Sequence, residues 1–261
     1  MIIDTIPATE IQAAAEQLFV ELGSEQPLHL MALVDHLFRP TQHLLGRWPG
    51  GRPEVFNLIG HLSGAEEQIS PLLLSLPSRY EERLSAAAYL RKQCNGYPML
   101  SFLSSPLSPD VVAAQLATVT EILLPPDSES YLLRFADTRI IPELDRLLDA
   151  EQHMQLFGLL DHWAYVDRSG QWSIIKGSGQ AASSAQRTPL HLSDAQFAGF
   201  LRACVPDNFI PTLRDNSTHF AELTPSVQHR LVCHWIESAC EESGGLTDPS
   251  ECLGYCMARL S

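Results

Sequence analysis

Positive charge is scarce in this chain. Its 261 residues hold 17 Lys and Arg against 31 Asp and Glu, a net charge of −14. Nucleic-acid affinity rests on Lys and Arg contacts to phosphate, so this balance argues against a phosphate-gripping surface. The acidity is read as a solubility device rather than an acidic docking face. Long apolar runs are also missing. The longest, such as residues 71–77, are far too short to cross a bilayer, and no membrane insertion is expected. The first ten residues carry neither a basic stretch nor a useful apolar run, so no secretion leader is expected and the location is read as cytoplasmic. Six Cys are too few for a disulfide scaffold, and reduced thiols are expected.

The common catalytic motifs are absent too. Gly177-Ser178-Gly179 follows a strand, but it fits neither GxxxxGK(S/T) nor GxGxxG and reads as part of a linker. Ser63, in Gly60-His61-Leu62-Ser63-Gly64, has the wrong spacing for a GxSxG elbow. Two Asp-His pairs, Asp35-His36 and Asp161-His162, supply residue types that metal hydrolases use. Neighbours on a strand point to opposite faces, so each pair offers one inward ligand at most. A metal-dependent hydrolase built on them is the alternative reading. No cofactor, catalytic residue or metal ligand is assigned.

What is present is enough apolar matter for a core, 45% of the residues. Helical spacing marks residues 8–22, 80–94 and 109–123, the last capped by Ser108 and facing inward through Val112, Leu116, Val119 and Leu123. A short helix is expected at 40–45. Apolar runs at 28–34, 55–59, 72–76 and 99–103 read as strands. Residues 162–166 and 171–175 flank Asp167-Arg168-Ser169-Gly170, a hairpin turn. Strands alternating with helices give a mixed α/β domain over 1–176. Residues 177–190 are small, polar and aperiodic, a flexible linker. Residues 191–261 read as a smaller all-helical lobe, with helices at 194–204, 225–243 and after Pro249.

Two features of that lobe bear on function. Cys233, Cys240, Cys252 and Cys256 sit at helical spacings that allow a four-thiolate zinc site, a pair of redox staples or plain core residues. Trp235, Leu231 and Ile236 line one side of the long helix. They are the candidate partner-binding residues, and core packing is the competing use of the same face.

Residues 131–148 are the most telling stretch. Tyr131, Leu132, Leu133 and Phe135 read as an apolar strand, and Ile140, Ile141, Leu144, Leu147 and Leu148 as a helix. Between them lie Arg134, Asp137 and Arg139. Charges at a corner between buried elements need internal pairing, so this corner is read as an architectural lock. The segment resembles the signature of a family of type VI secretion adaptor proteins. Leu132, Leu133, Arg134, Phe135, Asp137 and Arg139 match that pattern, while Ala136 and Thr138 replace its usual aromatic and Pro. Ala32-Leu33-Val34-Asp35, Gln152, Phe157-Gly158 and Trp163 are similar to further family features. The resemblance covers roughly 28–175. It implies a cytoplasmic, non-catalytic adaptor or chaperone that binds a secreted effector protein and helps load it onto the VgrG spike. Arg134, Asp137, Arg139, Asp35 and Trp163 are then structural signature residues.

Overall fold

Residues 31–34 are apolar at every position, and both faces of the strand they form are covered. In the computed structural model, which describes residues 2–21, 28–39, 44–46, 48–49, 51–60, 69–124, 129–180, 189–244 and 248–260, β1 (His29–Val34) lies near the middle of a six-stranded sheet. Its order is β2 (Val55–Asn57), β3 (Leu72–Ser75), β1, β4 (Leu100–Ser105), β7 (His162–Val166), β8 (Trp172–Lys176). Met31 and Leu33 pack on one face with Leu73, Leu103 and Trp163. Ala32 and Val34 pack on the other with Leu72, Leu74, Phe102 and Ala164. The register agrees: Ala32 stands between Leu74 and Phe102, and Leu103 opposite Trp163.

The first face is covered by α3 (Pro109–Thr118), α4 (Ile141–Leu147) and α5 (Ala150–Phe157), the second by α1 (Ile11–Glu21) and α2 (Tyr80–Gln93). Doubly covered strands are the usual signature of parallel sheets. Here all five pairings of the large sheet are antiparallel. The parallel pair lies in a second, three-stranded sheet, where β5 (Glu121–Leu124) runs antiparallel to β6 (Glu129–Leu132) and parallel to β9 (Leu190–His191).

The sequence reading holds at its coarse level, an α/β region followed by helices, and changes in four places. Leu123 belongs to β5, not to the face of α3. The strand expected from Tyr131 to Phe135 ends at Leu132 and is exposed throughout, whereas Leu133 and Phe135 are buried in the following turn. The helix read over 140–148 ends at Leu148 as expected, but a further helix that the reading does not contain, α5, follows at once, where Asp149 accepts from the Glu151 and Gln152 amides in a capping box. Finally α6 (Asp194–Asn216) does not stop at Cys204 but runs through Pro206 and Pro211. Each Pro removes one backbone hydrogen bond. Burial offsets that loss: Pro206, Phe209, Ile210 and Leu213 all face inward.

α6 is shared between two cores. Phe200 packs with the sheet domain, while Phe209, Ile210 and Leu213 pack with α7 (Thr218–Glu222), α8 (Pro225–Ser243) and α9 (Pro249–Met257). Gly199 permits the close crossing of α4, since a Cβ there would lie 2.8 Å from the Leu147 side chain. Within the segment read as linker, Gly177, Gly179 and Gln180 donate backbone bonds to Asp161, Leu160 and Gly158, and Leu190 belongs to β9. Residues 181–188 lie outside the described residues, as do 40–43 of the short helix expected at 40–45, and Ser63. The chain's start also joins the helical lobe to the sheet. Asp4 donates its amide to Arg168 O at 2.9 Å and accepts from the Ser226 amide at 2.9 Å and from its hydroxyl. Thr224 makes no side-chain cap, so Asp4 satisfies the α8 N-terminus from 222 residues away.

A charged seam as the candidate functional site

The corner expected to lock itself also locks the two halves of the molecule together. Arg134 donates to Asp35 at 2.6 Å, joining the corner to the end of β1. Asp35 also accepts from the Leu37 amide and starts a single helical turn, His36–Phe38. The Phe38 ring faces two guanidinium groups, Arg134 at 5.3 Å and Arg139 at 5.9 Å. Arg139 donates to both carboxylate oxygens of Asp137, at 3.0 and 2.7 Å. Its remaining nitrogen lies 3.6 Å from Asp207 on α6. Asp207 in turn takes a fork from Arg168 of the β7–β8 turn, at 2.9 and 2.8 Å. Arginines from two sheet-domain turns thus converge on one helical carboxylate.

The turn itself is held by backbone bonds from Asp137 to Arg134 and from Ile140 to Asp137. Thr138, where the family pattern has Pro, donates its amide to Pro98 O at 3.0 Å, a bond Pro cannot make. Ala136 is fully buried, as is Trp163, whose ring meets Phe135 and Phe157 edge-on at 6.1 and 5.3 Å. Of the candidate partner residues, Trp235 and Ile236 pack against the helical-lobe core, and Leu231 is half-buried beside them on α8.

Burial pushes the Asp35 carboxyl up, and Arg134 only partly opposes it. Burial acts the same way on Asp207, but there the Arg168 fork and the charges of Arg168 and Arg139 outweigh it and hold the carboxyl below its ordinary value. The ionised Asp207 therefore stabilises the fold above the ordinary carboxylate range, and this is lost as pH falls through its depressed folded value. His229, on α8, is lowered from 6.5 to about 4 by burial and by Arg168, with Arg139 adding and Asp207 and Glu143 opposing. The unfolded chain takes up this proton near 6.5 and the native one only near 4, so acidification across that window favours unfolding. Partly exposed, the group is expected to contribute on the order of 2 kcal/mol of stability loss there. Thermal melts from pH 7 to pH 4 check this: His229→Gln should flatten that limb, and an unchanged slope would remove His229 as its source.

Three clefts follow the seam. One of about 240 Å³ lies between the corner and α6 and is lined by Arg134, Arg139, Ile140, Phe200, Cys204 and Asp207 among others. The next, about 350 Å³, shares Arg139 and Arg168 with it and reaches Ser226. The third, about 530 Å³, shares Ser169 with the second and runs beneath Asp4 to Arg214 and Gln228.

The two Asp-His pairs do not meet. Val34 pairs with Leu100 and Ser104 with His162, so Asp35 and Asp161 lie at opposite ends of β4. Asp35 is taken by Arg134, and Asp161 pairs with its own neighbour His162 at 2.8 Å. Among the described residues no three His, Cys, Asp or Glu side chains gather as a metal site. Cys252 and Cys256 are buried in the helical core; Cys233 is half-buried, 3.6 Å from a His229 ring nitrogen, and Cys240 half-buried. No helix among the described residues is long and apolar enough to cross a membrane.

Sequence spacing missed Phe38, Arg168 and Asp207. Arg168 was visible only as a turn residue, and Asp207 lies beyond the expected helix end at Cys204. Residues 30–155 match the family described as Domain of unknown function (DUF4123), a span that includes Asp35, Phe38 and the whole corner. No curated protein and no solved structure matches the chain.

Proposed function

We propose that this protein is a non-catalytic adaptor that binds a type VI secretion effector in the producing cell's cytoplasm and helps load it onto the VgrG spike. The observation that carries the reading is the match to the DUF4123 family, whose span contains the corner on which the resemblance to the adaptor family rests. The geometry supports it in two further ways. The charged residues of the corner are spent on one another, on Asp35 at the end of β1 and on α6, as a brace requires. The clefts lie where two packed units meet, a common place for binding. Effector and spike would be held by shape and apolar complementarity, with Arg134, Asp137 and Arg139 shaping the frame.

The test is co-expression of the chain with the proteins encoded next to its gene, followed by affinity capture and size exclusion. A complex containing the chain and the effector is expected. A chain that elutes alone, together with chelator-sensitive hydrolysis, would replace this reading with the metal-hydrolase alternative.

A further inference from the structure

We propose that the outer edge of β6 is a docking strip for an extended, lysine- or arginine-bearing strand of a partner polypeptide. The inference extends the adaptor reading by naming a surface and the chemistry of its occupant. β6 pairs with β5 on one side, and no described strand pairs with the other. The register fixes which groups that edge presents. Glu121 stands opposite Leu132 and Ile122 opposite Tyr131, and Leu133 donates its amide to Thr120 O at 2.7 Å. Bonding pairs alternate along an antiparallel ladder, so Tyr131 and Glu129 turn their backbone groups toward β5. Ser130 and Leu132 turn theirs outward. Two amides and two carbonyls in a row complement an added strand.

Side chains narrow the choice. Tyr131 is 46% exposed and Leu132 38%, on opposite faces of the strand, so an added strand gains apolar contact on both. The Tyr131 ring lies 6.5 Å from Phe197 of α6, and Leu201, one turn on, is 54% exposed. Charge sets the occupant's sign. The paired strands β5 and β6 carry Glu121 and Glu129 and no Lys or Arg. Glu121 and Glu129 bond only to the Ser130 and Tyr131 hydroxyls among the described residues. A second copy of this chain would bring acids against acids, which disfavours self-pairing at this edge.

The test uses the full-length, ¹⁵N-labelled chain and two short synthetic peptides, one alternating Lys and Val, the other Glu and Val. The Lys–Val peptide is expected to slow amide exchange at Ser130 and Leu132, while the Tyr131 amide is already protected without it. Leu132→Pro removes an outward amide and the exposed leucine side chain but no backbone bond to β5. It should weaken binding about tenfold or more and leave the melting temperature nearly unchanged. The Glu121→Lys/Glu129→Lys pair, which leaves the backbone intact, should weaken it independently. The proposal is overturned by unchanged exchange at Ser130 and Leu132, by equal binding of the Glu–Val peptide, or by self-association of the chain through this edge. Because the probe is a synthetic peptide, that failure is separate from a failed co-purification with the effector.

Discussion

Replacing Asp207 with alanine is expected to cost about 2–4 kcal/mol of stability. Two effects add. The Arg168 fork is lost, and its guanidinium, three-quarters buried, is left without a carboxylate. Arg139 keeps Asp137 but loses its link to α6. The figure sits below that for a fully buried pair because Asp207 and both arginines keep some solvent contact. Asp207→Asn should fall between, since it keeps one acceptor without the charge. Glu143→Gln, which breaks the more exposed Glu143–Arg146 pair, should cost less than about 1 kcal/mol. Urea unfolding of the three variants gives the ranking. Equal midpoints for Asp207→Ala and Glu143→Gln would mean that the seam ion pairs do not hold the halves together.

Gly177→Ala should be at least as damaging, about 3 kcal/mol or more. A Cβ at Gly177 would lie 2.2 Å from the carbonyl oxygens of both Leu160 and Phe157. These are backbone atoms of the last residue of α5 and of the turn after it, and cannot swing aside as a flexible side chain can. The glycine also donates to Asp161 O at 3.0 Å, so relief by shifting the chain breaks a bond. Gly254→Ala is the control. It lies within α9 with nothing within 4 Å of its added Cβ, and should gain up to about 1 kcal/mol. If residue 177 began a flexible linker, Gly177→Ala would be silent in the same melts.

Local signals made much of this fold legible. Asp167 to Gly170 between two apolar runs announced the β7–β8 hairpin, and Pro225 with Gly244 bracketed α8 to the residue. What failed was governed by distant packing. Pro206 and Pro211 are strong local stop signals, yet the buried face of α6 carries the helix past both. β9 is two residues long and exists only because β5 lies beside it. α5 is legible locally, since Asp149 and Gln152 spell a capping box, but the apolar spacing that marks the helix before it stops at Leu148 and does not extend to it.

The site divides the same way. Charges at the corner demanded partners, and Asp137 and Arg139, two residues apart, supply one pair locally. The Asp35–Arg134 pair spans 99 residues, and Arg168 meets Asp207 across 39. No spacing rule connects them. The connection arises only once the antiparallel sheet brings the end of β1 beside the corner and the β7–β8 turn beside α6.

The central claim is that the chain works by holding another polypeptide while its charged seam braces the frame. Calorimetric titration of the purified proteins encoded beside the gene into the purified chain, with and without a chelator, tests it most directly. A saturable, stoichiometric complex that the chelator leaves unchanged is the predicted result. No heat of association, with metal-dependent turnover in its place, would contradict it.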